Sequence, residues 1–452
     1  MEEIAVYAPL GMLGYGFPVL SLENAMRRDV RVIAVDAGST DPGPYYLGAG
    51  VSYTAREMVK RDLSLILPAA LSKQIPLIIG SAGGAGGDPH LKWTLDILRE
   101  VSFQKGFHFR LAAISGEVDK RYVKTQLEAN RVFDFELGKP LTLEEIDRSI
   151  RIVAQMGVEP IIRALDGGAG VIVAGRAYDA ALIAALPIRA GFDPGLSLHM
   201  GKILECGASV ALPRESDGII GILRKDHFLV EPADPHKRCT VETVAAHTLY
   251  EKSDPAHLHL PGGMLDLEET KFEKWNDRIV KISGSRFVKN ESYLLKLEGA
   301  RRAGYRTICI GGARDPILIR RIEEVISTVR TKIKRDLQGI VAEEDYQLLF
   351  HLYGRDGVMG PLEPCREEIV HELGVVIEAV AKTQELADTV CALARSATLH
   401  TGYEGRKATA GNLAFLFSPA EFPAPEVYEF NVYHLIEVDD PCEIFRMELE
   451  EI

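Results

Sequence analysis

Hydrophobic and polar positions alternate in blocks along the first half of the chain. Short runs rich in Val, Ile and Leu fall at 3–8 (EIAVYA), 31–36 (RVIAVD), 76–80 (PLIIG), 109–114 (FRLAAI) and 170–175 (GVIVAG). Between them, 54–73 and 89–105 carry apolar residues at helical spacing. Continuous apolar strands separated by helices predict a parallel sheet covered on both faces. The expected class is α/β. Residues 1–215 are expected as a doubly wound, Rossmann-like parallel sheet, and 216–452 as a mixed α+β part with a subdivision near 340.

The texture changes after about residue 215. GIIGILRKDHFLVEP reads as a two-stranded ribbon, and 277–283, 292–298, 306–311, 345–352, 372–380 and 427–437 read as further strands. Helices are predicted at 316–336 and 383–396. The tail EVDDPCEIFRMELEEI has seven acidic residues against one arginine, which fits a solvated end or an edge strand blunted by charge.

Composition narrows the function classes. At 452 residues, with 46% hydrophobic and 26% charged, the chain is long enough for two or three globular cores. A net charge of -13 argues against nucleic-acid binding, which needs a basic face. Six scattered cysteines form no metal-finger or cluster spacing, and Cys206, Cys309, Cys391 and Cys442 read as buried thiols. No iron–sulfur cluster is expected. With no signal-like start and no membrane-length apolar run, the expected location is the cytoplasm, away from membranes.

Ligands of open parallel sheets bind at the carboxyl ends of the strands. Four loops fall there. RVIAVD runs into AGSTDPGPYYLG, PLIIG into SAGGAGGDPH, FRLAAI into SGEVDK, and GVIVAG into RAYDAA. One rim is therefore expected to hold Asp36, Ser81, Asp88, His90, Glu117, Arg176 and Asp179. In this reading Asp36 or Asp88 is the base, His90 the acid, and Arg176 the cation that holds a substrate carboxylate. Ser39, Thr40, Ser81 and the amides near Gly83, Gly84, Gly86 and Gly87 would bind the rest of the substrate. Asp36, Asp41 and Asp88 could hold a divalent metal. Each loop also has a plainer role. Asp88 before Pro89 stands where a helix starts, glycine turns make tight connections, and Arg176 could pair with Asp179 across one helical turn.

Familiar signatures are missing. No GxGxxG or GxxxxGK[ST] occurs, so neither NAD nor ATP is expected, and there is no GxSxG or HExxH. In the second half, His247 and Glu251 share a helical face as a metal or proton-transfer pair, or as a surface ion pair. PGGMLD, LEGARRAGYR, GGARDP, YGRDGVMG and TAGNLAFLFSP read as glycine turns with polar tips.

Taken in order, GMLGYGFP, VDAGSTDPGPYYLG, GSAGGAGGDPH, MGVEP, AGRAYD, GKILECGA, CTVETVAAHTLYEKSDP, LEGARRAGYRT, YGRDGVMG and TAGNLAFLFSP resemble the acyclic terpene utilisation (AtuA) family, over about residues 5–440. The resemblance implies a role near the breakdown of citronellol-like terpenes. For this subtype it also implies an association with 3-methylaspartate breakdown and CoA-transferase genes, and with a small companion protein. It carries no agreed catalytic residues, so the site rests on the loops. The expected activity is a hydratase or dehydratase acting on a small branched unsaturated or hydroxy carboxylate or its CoA thioester. The alternatives are a non-catalytic subunit that completes a partner enzyme and a CoA-binding acyl-transfer enzyme. A two-fold homo-oligomer is expected.

Overall fold

The computed structural model describes residues 2–135, 138–250 and 254–452. They form two compact units: residues up to Arg301 together with Phe430–Ile452, and Arg302–Glu429. The change of texture near 215 falls inside the first unit, where strand direction changes.

The first unit is mixed α/β. Five strands run parallel: β1 (Glu3–Ala8), β2 (Val30–Asp36), β3 (Leu77–Gly80), β4 (Arg110–Ile114) and β5 (Val171–Ala174). Their order is β1-β2-β3-β5-β4, so the last strand in sequence is inserted between its two predecessors. Antiparallel strands extend both edges. Ile219–Arg224 pairs with β1, followed outward by His227–Pro232, Val280–Ser283 and Lys271–Lys274. The acidic tail ends in Met447–Glu451, which pairs with β4 as the opposite edge strand.

The unbroken apolar runs follow from burial on both faces. Ile33, Val35, Leu77, Ile79, Val171 and Val173 pack into one core with helices Arg56–Lys73 and Asp88–Lys105. Their neighbours Val32, Ala34, Ile78 and Ile172 join a second core with helices Val158–Asp166, Asp179–Arg189 and Pro194–Leu204. Because strand side chains alternate in direction, each run supplies both layers. The chain leaves β3 toward the first core and β5 toward the second. Adjacent strands whose connections diverge in this way open a crevice at their carboxyl ends.

In the second unit, Leu373–Ala381 buries every second residue and pairs antiparallel with Tyr346–Tyr353 and with the end of the long strand Tyr293–Ala313. Helices Ile322–Leu337 and Gln384–His400 cover its apolar core. Cys309 and Cys391 are buried as expected, whereas Cys206 and Cys442 are half-buried. No helix among the described residues is long and apolar enough to cross a membrane.

Candidate functional site: a buried acid–base centre

The loops that leave β2, β3 and β5 meet backbone to backbone. The Arg176 amide donates to the Gly86 carbonyl at 3.0 Å, and the Ser81 amide donates to Gly175 at 2.9 Å. A side chain at Gly86 would lie 2.2 Å from the Arg176 nitrogen, and one at Gly38 would lie 2.2 Å from the Gly84 Cα. Close approach of loops therefore explains glycines in SAGGAGG. Two amides expected to bind an anion are engaged inside the protein, Ala82 with the Ala174 carbonyl and Gly84 with the Ser81 carbonyl. Ser81 itself is fully buried in the left-handed region at φ 48°, a conformation that costs a non-glycine residue free energy. That backbone keeps its hydroxyl 3.2 Å from Arg176 Nη1.

Arg176, only 3% exposed, donates from Nε to Glu298 Oε2 at 2.8 Å and reaches Asp179 Oδ1 at 3.5 Å. The pairing with Asp179 foreseen from their spacing is thus real but secondary. Glu298 also accepts from Thr40 Oγ1 at 2.9 Å and faces Lys296 Nζ at 3.0 Å. Burial alone would raise the Glu298 carboxyl, but Arg176 and Lys296 outweigh it and hold it at about 2. Lys296 in turn donates to the Tyr433 hydroxyl at 2.6 Å and lies over that ring. A second ion pair, Lys202 with Glu205, stands nearby.

Asp36, the last residue of β2, is 7% exposed, and its Oδ1 has no hydrogen-bond partner among the described residues. Burial pushes its carboxyl well above the usual range, Asp179 adds to the rise, and Arg176 only partly opposes it. Burial also raises Asp179, against the pull of Arg176 and Lys202. The charge balance explains both. Asp36, Asp179, Glu205 and Glu298, with Asp41 adding repulsion at Asp179, face three cations, Arg176, Lys202 and Lys296. The carboxyls outnumber the cations, and a buried carboxyl without a counter-charge holds its proton more tightly than one in water. Asp36 is the more enclosed of the raised pair, since 24% of the Asp179 side chain is exposed.

Other expected rim residues lie in different surroundings. Asp88 starts helix Asp88–Lys105, accepts from Ser115 Oγ at 2.5 Å, and pairs with Arg446 at 2.7 Å. Its backbone amide donates to Glu117, and Glu117 and Arg446 line a cavity of about 470 Å³. His90 is buried, with Nε2 3.0 Å from the carbonyls of both Tyr46 and Val51, so Nε2 carries the proton. Burial lowers its pKa, and it ties down the segment around residues 46–51. Ser39 is half-buried, and its Oγ accepts from the Asp41 amide; Asp41 is exposed. Asp36, Asp41 and Asp88 do not form a ligand set. Among the described residues, the group that could hold a metal is His257, Asp266 and Glu268, with ligand atoms within 4.8 Å of one another. His247 lines a cavity; Glu251, its expected partner, lies outside the described residues.

That cavity, of about 680 Å³, opens beside the loop after β1 and includes Gly11, Met12, Tyr15, Cys206, Arg214 and Asp217 in its wall. The loop is fixed to the centre, because the Leu13 amide donates to the Asp36 carbonyl at 2.9 Å. Buried Asp62 accepts from the amides of Gly14 and Gly16. The Cys206 thiol is pushed up to about 12 by burial, then by Glu205, with Asp179 and Asp36 also in reach. Arg214 is exposed and pairs with no described carboxylate.

A crevice where strand connections diverge, with titratable groups pushed away from their ordinary pKa, is the kind of place where α/β proteins bind and transform small molecules. The family model for the acyclic terpene utilisation family protein AtuA matches residues 52–415. The chain belongs to that family, which implies a part in acyclic terpene utilisation. No curated protein and no solved structure matches the chain.

Proposed function

We propose that the chain is a catabolic hydro-lyase acting on a small branched unsaturated or hydroxy carboxylate, or on its CoA thioester. The observation that carries the reading is the excess of carboxyls over cations around Asp36 and Asp179, which raises the proton affinity of two neighbouring carboxyls. Adding or removing water needs a proton donor and a proton acceptor placed side by side. In the dehydrating direction Asp179 removes the proton next to the substrate carboxyl, and protonated Asp36 gives its proton to the departing hydroxyl. Water leaves, a carbon–carbon double bond forms, and the proton on Asp179 returns to Asp36. Arg176 and Lys296 are already engaged by Glu298, so they set the field of the site. The exposed guanidinium of Arg214 is the group suited to a substrate carboxylate at the cavity mouth. The parallel part is read as a doubly wound, Rossmann-like arrangement, supported by helices in both cores beside β3 and β5.

The test is to incubate the purified chain with branched unsaturated acids and their CoA esters in deuterated water. The expected result is product carrying one solvent deuterium on the carbon next to the carboxyl, with Asp36→Asn slower by ~10²–10⁴. Turnover that survives Asp36→Asn unchanged would place the chemistry elsewhere. Acyl exchange between CoA esters without addition of water would make the protein a transferase instead.

A further inference from the structure

The sheets finish their edges in different ways, and one edge is left open. The ten-stranded sheet ends in Lys271–Lys274 (KFEK) and Met447–Glu451 (MELEE), and a three-stranded sheet ends on one side in Arg286–Lys289 (RFVK). Charges on those strands discourage other chains from adding to them. In the second unit Tyr346–Tyr353 (YQLLFHLY) is also an edge strand, and at eight residues it is longer than any of these. It has no Lys, Arg, Asp, Glu or Pro, and its eight consecutive pairs with Leu373–Ala381 leave no bulge. Charge, proline and bulges are the usual protections of an edge.

The apolar layer behind this strand is also unsealed. Tyr346, Leu348 and Phe350 pack toward the helices yet stay half-buried, whereas their partners on the next strand, Ala381, Ala379 and Ile377, are buried. On the opposite face Leu349 and Tyr353 are exposed. The Lys382 amide donates to the Asp345 carbonyl at 3.1 Å. Antiparallel ladders alternate, so Gln347, Leu349 and His351 turn their backbone groups toward Leu373–Ala381. Leu348 and Phe350 turn theirs the other way, to the side where the sheet has no further strand. An added strand would find donors and acceptors there and would cover the half-buried row.

The order of side chains decides which strand fits. From Tyr346 to Leu352 the pattern is apolar, polar, three apolar, polar, apolar, and it reads the same in both directions about Leu349. Two copies related by a two-fold axis at Leu349 would set Leu348 opposite Phe350 and Gln347 opposite His351. Apolar then meets apolar and polar meets polar, and the two Leu349 side chains meet each other. We propose that Tyr346–Tyr353 is the interface of a two-fold homodimer, in which the sheets of two second units join edge to edge, antiparallel, about Leu349. The interface is separate from the centre that holds Asp36, and it does not depend on the hydro-lyase reading.

Analytical ultracentrifugation of the full chain over a dilution series at micromolar concentration tests it. The wild type should sediment as a dimer, and amide exchange within 346–353 should slow as the concentration rises. Leu349→Lys puts a solvated charge on each monomer, but in the dimer it sets two like charges face to face. It should raise the dissociation constant by about a hundredfold, because both leucines also lose their apolar contact. Leu349→Glu should do the same. An equal mixture of the two variants should form dimers again by pairing opposite charges, which also shows that each variant is folded. The proposal is overturned if the wild type is monomeric, if either variant dimerises as tightly as the wild type, or if the mixture stays monomeric. A wild-type dimer whose amides in 346–353 exchange as fast as in the monomer would also overturn it, by placing the contact elsewhere.

Discussion

Two charged groups sit at the carboxyl ends of the same parallel strands and are built from the same residue types. In one, Arg176 meets Glu298 at 2.8 Å with side chains 4% and 0% exposed. In the other, Arg446 meets Asp88 at 2.7 Å with side chains 72% and 43% exposed. The contacts are nearly the same length, but their surroundings separate them. Water screens the second pair, which makes it interchangeable with other surface contacts. The first group has lost that screening, so every charge needs a partner and an unmatched carboxyl must hold a proton. Enclosure and charge balance, more than contact distance, distinguish a site that can do proton chemistry.

The largest effects should come from breaking the balance of the enclosed group. Asp36→Asn keeps the shape of the side chain but cannot give a proton, so turnover should fall by ~10²–10⁴ with little change in KM. Glu298→Gln leaves Arg176 and Lys296 without their shared counter-charge. Denaturant unfolding should show a loss of about 3–5 kcal/mol, the usual cost of stranding a buried charge. If that loss were under about 1 kcal/mol, the centre would be better hydrated than its burial implies.

A smaller effect separates the groups by pH. A raised Asp36 means that the folded protein keeps a proton that the unfolded chain releases. Stability should therefore fall as pH rises from the ordinary carboxylate range through the raised Asp36 value, and then level off. Unfolding curves for Asp36→Asn should lack that part of the slope. His90 contributes with the opposite sign. Its lowered pKa makes the unfolded chain the better proton acceptor below the ordinary histidine range, so His90→Gln should flatten the acid side.

The smallest effect belongs to the open group. Arg446→Met should cost no more than about 1 kcal/mol, and Asp88→Asn should leave turnover within a few-fold of wild type. A hundredfold loss of rate in Asp88→Asn would move the base to the open group and reverse the comparison.

Much of this fold was legible in the sequence, because its strongest signals are local. The five apolar runs became the five parallel strands within a residue or two, since each faces a core on both sides. Asp36, Ser81 and Arg176 were placed at strand ends by the same pattern, and they meet. Glu298 and Lys296 were not anticipated. LEGARRAGYR looks like a turn because of Gly299 and Gly304, yet strand Tyr293–Ala313 runs straight through it. Gly299 is small because a side chain there would lie 2.8 Å from Val432, a constraint no local pattern reveals. The partner that engages Arg176 is 122 residues away in sequence. SAGGAGG shows the reverse problem: its glycines were legible, but their contacts with neighbouring loops were not.

The central claim is that Asp36 is protonated at neutral pH because the enclosed centre has more carboxyls than cations. Difference infrared spectroscopy of wild type against Asp36→Asn at pH 7, with carboxyls labelled by ¹³C-aspartate, reads that proton directly. The account predicts a protonated-carboxyl C=O band in the wild type that shifts with the label and disappears in Asp36→Asn. A wild-type spectrum in which Asp36 contributes only ionised-carboxylate bands at pH 7 would contradict it.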